Sequence, residues 1–366
     1  MKTKGERKKS VLPRDENPYR ILQSQLKYIC RKNQIDEYQR QVLEKPYREL
    51  SCVLPIKGLN GGTKVLSGHA IVHRGPKKRI LGGIIFDPGV YLDWLKAKAL
   101  GVHLQARLLR IPFEFLLVGI KYREDFLSSF EQLKLEDSLQ ESIFSCLGSH
   151  NKLLRVKPFR TGDISGSYLS TKCLAKLIEL IKAYKYPNKE RIRITSDLGN
   201  DLTNGILKQL PEDKFAVLPT KNGYSQLVDV FILTEKKVSM LNARRIRTHT
   251  IIEGRNGIIT PEAQLILAER EIEIIPDIVV SAPNLIQFYT EWLTHNSYCH
   301  LGRKEIQRKS LQLVTDLFRD VWSYSRENSI SIKTSAYSLA VHRSIQTTDT
   351  QLKEVDKNFW SGSYAD

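Results

Sequence analysis

From residue 169 to residue 276 the apolar residues switch repeatedly between a helical period of about 3.6 and a strand period of about 2. Residues 169–184 and 204–210 read as helices, while 191–195, 214–218, 228–233, 248–253 and 271–276 read as short strands. Strands that alternate with helices pair in parallel, so the middle of the chain is predicted to be a parallel α/β sheet. Thr260-Pro261-Glu262-Ala263 opens a helix inside this region, with a threonine cap and proline at the first helical position.

The flanks follow other rules. Residues 1–16 are basic and rich in helix breakers and read as a flexible tail. Asn17-Pro18 then starts a helix that sets Tyr19, Leu22, Leu26 and Ile29 on one face, and residues 34–44 read as a second helix stopped by Pro46. Residues 49–56 and 63–73 alternate as strands around Leu59-Asn60-Gly61-Gly62, a hairpin signal. A strand at 82–86 and a helix at 90–109 follow, with Tyr91, Trp94 and Leu95 as expected core. Residues 113–120 are apolar enough for a buried strand. Residues 303–326 and 331–347 are helical again, and 349–366 form a second tail.

A chain of 366 residues exceeds what one core usually supports, so two domains are expected. No apolar stretch reaches the ~20 residues of a membrane span, and the basic start lacks an apolar run behind it, so the expected location is the cytoplasm. Five scattered cysteines without a CxxC pair predict no structural disulfide. His295, Cys299 and His300 lie close together, but no second His/Cys pair completes a zinc shell, so they read as a polar loop end. The formal charge of +17 favours encounters with polyanions without identifying one. Its short runs, Lys77-Lys78-Arg79 and Arg244-Arg245-Ile246-Arg247, have no aromatic-interleaved RNA motif beside them.

Residues 252–263, IEGRNGIITPEA, followed by Ile275-Pro276-Asp277 and Tyr289-Thr290-Glu291-Trp292, resemble the EGANGPTTPEA…IPD…YFEW signature of the glutamate/leucine/phenylalanine/valine dehydrogenases. Asn17-Pro18-Tyr19, Gly68, His73, Gly75-Pro76, Gly82-Gly83-Ile84 and Thr334-Ser335-Ala336-Tyr337 extend the likeness over about residues 17–348. The resemblance implies two α/β domains. A dimerisation and substrate-type domain (17–156) is completed by returning helices (303–348), and a Rossmann-like NAD(P)-binding-type domain (157–302) lies between.

The same resemblance implies chemistry that this chain has altered. Deamination needs cationic clamps for carboxylates, a lysine of lowered pKa and a proton-transferring carboxylate. The two clamp lysines of the family fall on Leu81 and Gln105, and its catalytic lysine on Leu117 within Pro112-Phe113-Glu114-Phe115-Leu116-Leu117-Val118-Gly119. The serine that holds the distal carboxylate falls on Phe288. Phe115, Leu116, Val118 and Phe288 are expected to surround Leu117 with apolar groups. The segment bearing the catalytic aspartate is shortened away, which leaves Lys78 and Asp163 as the available substitutes.

A dinucleotide loop of the form GxGxxG survives only as Asp197-Leu198-Gly199-Asn200-Asp201-Leu202, whose acids would face a pyrophosphate. Cofactor contacts carried over by the resemblance reduce to Gly199, Asn200, Asn256 and Ser281, and the cofactor, if the ancestral site survives, is NAD or NADP. The expectation is a dehydrogenase fold that has lost oxidative deamination and serves binding, regulation or assembly. Its expected partners are copies of itself or an active relative in a mixed oligomer. The alternatives are a diverged NAD(P)-dependent amino-acid dehydrogenase and a basic adaptor for nucleic acid or another polyanion.

Overall fold

The computed structural model describes residues 17–58, 61–73, 80–111, 114–122, 127–147, 168–197, 205–206, 209–219, 223–234, 236–254, 257–295 and 302–346. Helix α1 (Pro18–Lys32) begins where expected, the Asn17 side chain accepting from the amides of Tyr19 and Arg20. Its Leu22, Leu26 and Ile29 are buried. Helix α2 (Glu37–Glu44) starts later than residue 34, because Gln34 adopts φ 55° and Asp36 supplies the cap to the Gln39 amide.

Strands β1 (Arg48–Lys57) and β2 (Thr63–His73) form the expected hairpin, with Gly61 at φ 76°. Strand β3 (Ile80–Phe86), helix α3 (Leu92–Leu108) and strand β4 (Glu114–Ile120) follow. The sheet order is β1-β2-β4-β3, and only β3 and β4 pair in parallel. Tyr91, expected in the core, lies just before α3 and is 38% exposed.

Because a strand alternates its faces, the two halves of the apolar β4 run part company. Phe115 and Leu117 join the core beneath α3, whereas Leu116, Val118 and Ile120 pack with Leu54, Ile56 and Leu66 on the other face. Leu116 and Val118 therefore do not surround Leu117 as expected. That second face is covered by helix α4 (Ser129–Leu147) through Leu135 and Leu139. Helix α4 was not foreseen, although Leu135, Leu139, Ile143 and Leu147 recur at every fourth residue among charged and polar neighbours.

The second sheet is wholly parallel. After helix α5 (Tyr168–Lys185) come β5 (Ile192–Ser196), β6 (Phe215–Val217), β7 (Val228–Leu233), the short α6 (Met240–Ala243), β8 (Thr248–Glu253), α7 (Pro261–Glu269) and β9 (Glu273–Ile275). Their order is β6-β5-β7-β8-β9. Chain order reverses between β5 and β7, which makes that pair of strand ends the topological switch point. Of the expected helix 204–210, residues 205 and 206 are helical and 207–208 lie outside the described residues.

The chain closes with α8 (Asp277–Val280), α9 (Ala282–His295), α10 (Arg303–Glu327) and α11 (Ile332–Gln346). Helix α9 was not foreseen; Pro283 stands in its first turn, where proline is tolerated. Helix α10 packs on α5, while α11 packs on α1, α3 and α10 and also reaches β9. No described helix is long and apolar enough to cross a membrane. Cys30, Cys52 and Cys173 are free thiols, as expected of them. The segment 296–300, with Cys299 and His300, lies outside the described residues.

Candidate functional site

Ligands of open parallel sheets bind at the carboxyl ends of strands beside the switch point. Asp197 stands there, directly after β5, and is only 9% exposed. Its Oδ1 accepts from the Thr234 amide at 2.7 Å and the Thr234 hydroxyl at 2.6 Å, and its Oδ2 accepts from the Lys236 amide at 2.7 Å. The carboxylate thus ties the end of β5 to the turn after β7. Backbone amides that could meet an anion at this edge are bonded to an anion of the protein itself, and a second one would be repelled. Residues 198–204, the loop that would face a pyrophosphate, lie outside the described residues.

A second region lies where α3, β4, α8 and α9 meet. Leu117, in the interior strand β4, is paired between Ile71 and Gly83 and is 1% exposed. Phe288 on α9 is 4% exposed and belongs to the same continuous apolar core. Gln105 on α3 is buried, and its Nε2 donates to Ser281 Oγ at 2.8 Å and to the Ile278 carbonyl at 3.1 Å. The Ser281 hydroxyl donates in turn to the Asp277 carbonyl at 2.7 Å. This neutral chain satisfies the α8–α9 turn, as buried polar groups require.

At the start of β4, three residues before Leu117, Glu114 accepts from Arg107 at 2.6 Å, and His103 Nδ1 lies 3.8 Å from its other oxygen. The buried His103 ring stacks on buried His73 at 5.2 Å. These groups form a packed polar cluster under α3.

Among the described residues, a second group of buried charges lies at the end of β8. Lys333 Nζ on α11 donates to both oxygens of Glu253, at 2.9 and 3.2 Å, and the Tyr337 hydroxyl donates to Asp277 Oδ1 at 3.0 Å. All four side chains are at most 4% exposed. Burial pushes the Glu253 carboxyl above the usual carboxylate range; Lys333 pulls it down and Asp277 pushes it further up. Burial likewise raises the Tyr337 phenol, helped by the charge of Asp277. Sequence reasoning quoted Glu253, Asp277 and Tyr337 as motif residues without bringing them together. Their signal was a charge placed directly beside apolar residues, as in Ile251-Ile252-Glu253 and Asp277-Ile278.

Residues 192–351 match the sequence model of the Glutamate/Leucine/Phenylalanine/Valine dehydrogenase family. The glutamate dehydrogenase of Thermotoga maritima is 24% identical, with 83% of this chain aligned to 90% of that protein. The NADP-specific glutamate dehydrogenase of Synechocystis is 23% identical over 90% of this chain and 95% of its own. Among solved structures, the hetero-hexameric glutamate dehydrogenase of Thermus thermophilus superposes with a TM-score of 0.73 at 16% identity, over 93% of this chain and 98% of that one. The glutamate dehydrogenase of Peptoniphilus asaccharolyticus gives 0.72 at 20% identity, over 92% and 99%. The match to this family thus covers the second half of the chain, and the likeness to glutamate dehydrogenases in sequence and fold extends over most of its length.

The described structure brings some of the dehydrogenase-family positions together and not others. Gln105 and Ser281 are directly bonded, and Leu117 and Phe288 share one core. Leu81 pairs with Phe115 in the sheet. Lys78, Asp163, Gly199, Asn200 and Asn256 lie outside the described residues. Gly257 takes φ 69° and Thr260 caps α7 through the Ala263 amide, so this part of the family signature serves as turn and helix-start chemistry.

Proposed function

We propose that this dehydrogenase-like chain does not carry out oxidative deamination and acts through binding, regulation or assembly. The observation that carries the reading is Leu117: the position matched to the catalytic lysine holds an apolar side chain sealed in an interior strand. No water can be activated there, and the matched clamp position Gln105 offers a neutral amide already bonded to Ser281. Asp197 at the switch point supports the accompanying proposal that NAD and NADP no longer bind. The domain division at 156/157 and 302/303 belongs to the same reading, as do a cytoplasmic location and assembly as a homo-oligomer or with an active relative. The hetero-hexameric state of the Thermus relative supports the last of these.

The test is direct. Purified protein with glutamate, leucine, valine or phenylalanine and either NAD or NADP is expected to give no turnover above buffer. Tryptophan fluorescence is expected to be unchanged by either cofactor. Saturable cofactor binding together with turnover would instead establish a diverged amino-acid dehydrogenase, the reading that the activities named for the relatives favour.

A further inference from the structure

Lys185 ends helix α5 at the amino-terminal edge of the parallel sheet, opposite the switch point, where α5 meets β8, β9, α10 and the start of α11. Its Nζ donates to the His249 carbonyl at 3.0 Å, a neutral acceptor that serves an amine as well as an ammonium. The carboxylate it faces, Glu273, stands 3.9 Å away, beyond hydrogen-bond reach. That carboxylate is shared. Glu273 Oε1 accepts from the Ile332 amide at 2.9 Å, and Oε2, the oxygen nearest Lys185, lies 3.6 Å from Arg326 Nη2.

Arg326 completes the arrangement. Its guanidinium sits over the Trp322 ring at 4.2 Å, which holds a long side chain in place while leaving it 55% exposed. The Lys185 side chain is 20% exposed, and its bond to His249 lies at the surface. A nucleophilic amine and a guanidinium are thus neighbours across one carboxylate oxygen, both reachable from solvent. Guanidinium groups favour phosphate, whose oxygens match their donors.

We propose that Lys185 is a site of acylation by small acyl phosphates, with Arg326 holding the phosphate while the lysine attacks. The Lys185 nitrogen bonds to the acyl carbon, the bond from that carbon to the phosphate oxygen breaks, and the proton lost by nitrogen leaves with the phosphate. An amide and inorganic phosphate result. In an acyl phosphate a single oxygen separates the acyl carbon from phosphorus, so a phosphate on Arg326 keeps that carbon beside Lys185. The phosphates of an acyl-coenzyme A thioester lie too far from its acyl group for the same pairing. The neutral amine is the reactive form, and burial brings the Lys185 pKa down to about 8, with Glu273 on β9 opposing the shift and Arg326 on α10 adding to it. At neutral pH this frees on the order of 100-fold more amine than an ordinary lysine of about 10.4 offers, and its lower basicity takes back part of the gain.

The experiment incubates the full chain with acetyl phosphate and, separately, with acetic anhydride, and follows acetylation at each lysine by peptide mass spectrometry from about pH 6 to about pH 10. Lys185 is expected to react with acetyl phosphate roughly tenfold faster than the exposed Lys236 and Lys304, at a rate that levels off above about pH 8. Arg326→Gln removes the guanidinium from an exposed position. It is expected to slow acetyl phosphate at Lys185 by about fivefold more than it slows the anhydride, which carries no phosphate. Labelling of Lys185 no faster than that of Lys236 or Lys304 overturns the proposal, as does a rate at Lys185 that still climbs at about pH 10. So does an Arg326→Gln variant that melts like the parent and slows both reagents alike, since no held phosphate would then be guiding the reaction.

Discussion

Leu117→Lys returns to the chain the residue type that the family match assigns to catalysis, and the structure says what it meets. The new side chain starts from an interior strand, between Ile71 and Gly83, and enters the apolar core beneath α3. A fully buried lysine has its pKa depressed by up to about 3–5 units, and each unit corresponds to about 1.4 kcal/mol. At pH 7 the lysine escapes the full penalty by giving up its proton, so the cost is capped by the gap between pH 7 and the free lysine's ~10.4, at about 4–5 kcal/mol, against a total stability of about 5–15 kcal/mol. Urea unfolding at pH 7 should show a loss of that order, while the volume-conserving control Leu117→Met should cost less than about 1.5 kcal/mol. The sign of the pH dependence follows from the lowered folded pKa. The deficit is full below that pKa and shrinks as pH rises towards about 10.4, where the unfolded lysine also becomes neutral. A variant as stable as the parent, with a lysine that titrates normally, would refute the sealed-core argument and reopen the case for an enzyme lacking one part.

Other perturbations test separate joints. Glu253 holds its proton more tightly when folded than when unfolded, so its contribution to stability should fall as pH rises from 4.5 to about 7 and level off above, measurable as a change in urea midpoint that Glu253→Gln abolishes. Lys333→Met leaves Glu253 buried without its cation and should cost about 3–5 kcal/mol, much of it recovered in the double variant with Glu253→Gln. Asp197→Ala leaves the Thr234 and Lys236 amides without their acceptor and should cost about 1–3 kcal/mol in thermal or urea unfolding. An unchanged midpoint would show that the carboxylate is not what joins β5 to β7.

The parallel sheet was legible because short apolar runs of strand length recur through residues 191–276 with helical stretches among them; β7 and β8 were bounded to the residue. Helix α4 was missed although Leu135, Leu139, Ile143 and Leu147 recur at every fourth residue, because charged and polar residues crowd the stretch between them. The environment of Leu117 was half legible. The apolar run predicted burial, but only the pairing of β4 shows that Leu116 and Val118 face the other layer. The role of Asp197 could not be read from its position after a strand. Its three donors come from Thr234 and Lys236, nearly forty residues away in sequence, and such closures follow from topology rather than from local pattern. The Glu253–Lys333 pair, separated by 80 residues, was hidden for the same reason.

Helix α11 has a consequence for how the chain reaches this state. Its bonds return to the earliest elements: Asn33 donates to Ser338 across 305 residues, and Arg343 donates to the Leu108 carbonyl across 235. During synthesis, α1 and α3 emerge long before the helix that covers them, and their apolar faces wait while the parallel sheet is made. Contacts of such separation close slowly, and exposed apolar surface invites association in the meantime. The helix that completes the molecule is thus also the last to join it, and a ribosome-bound chain halted before residue 332 should bind chaperones through the surface that α11 later occupies.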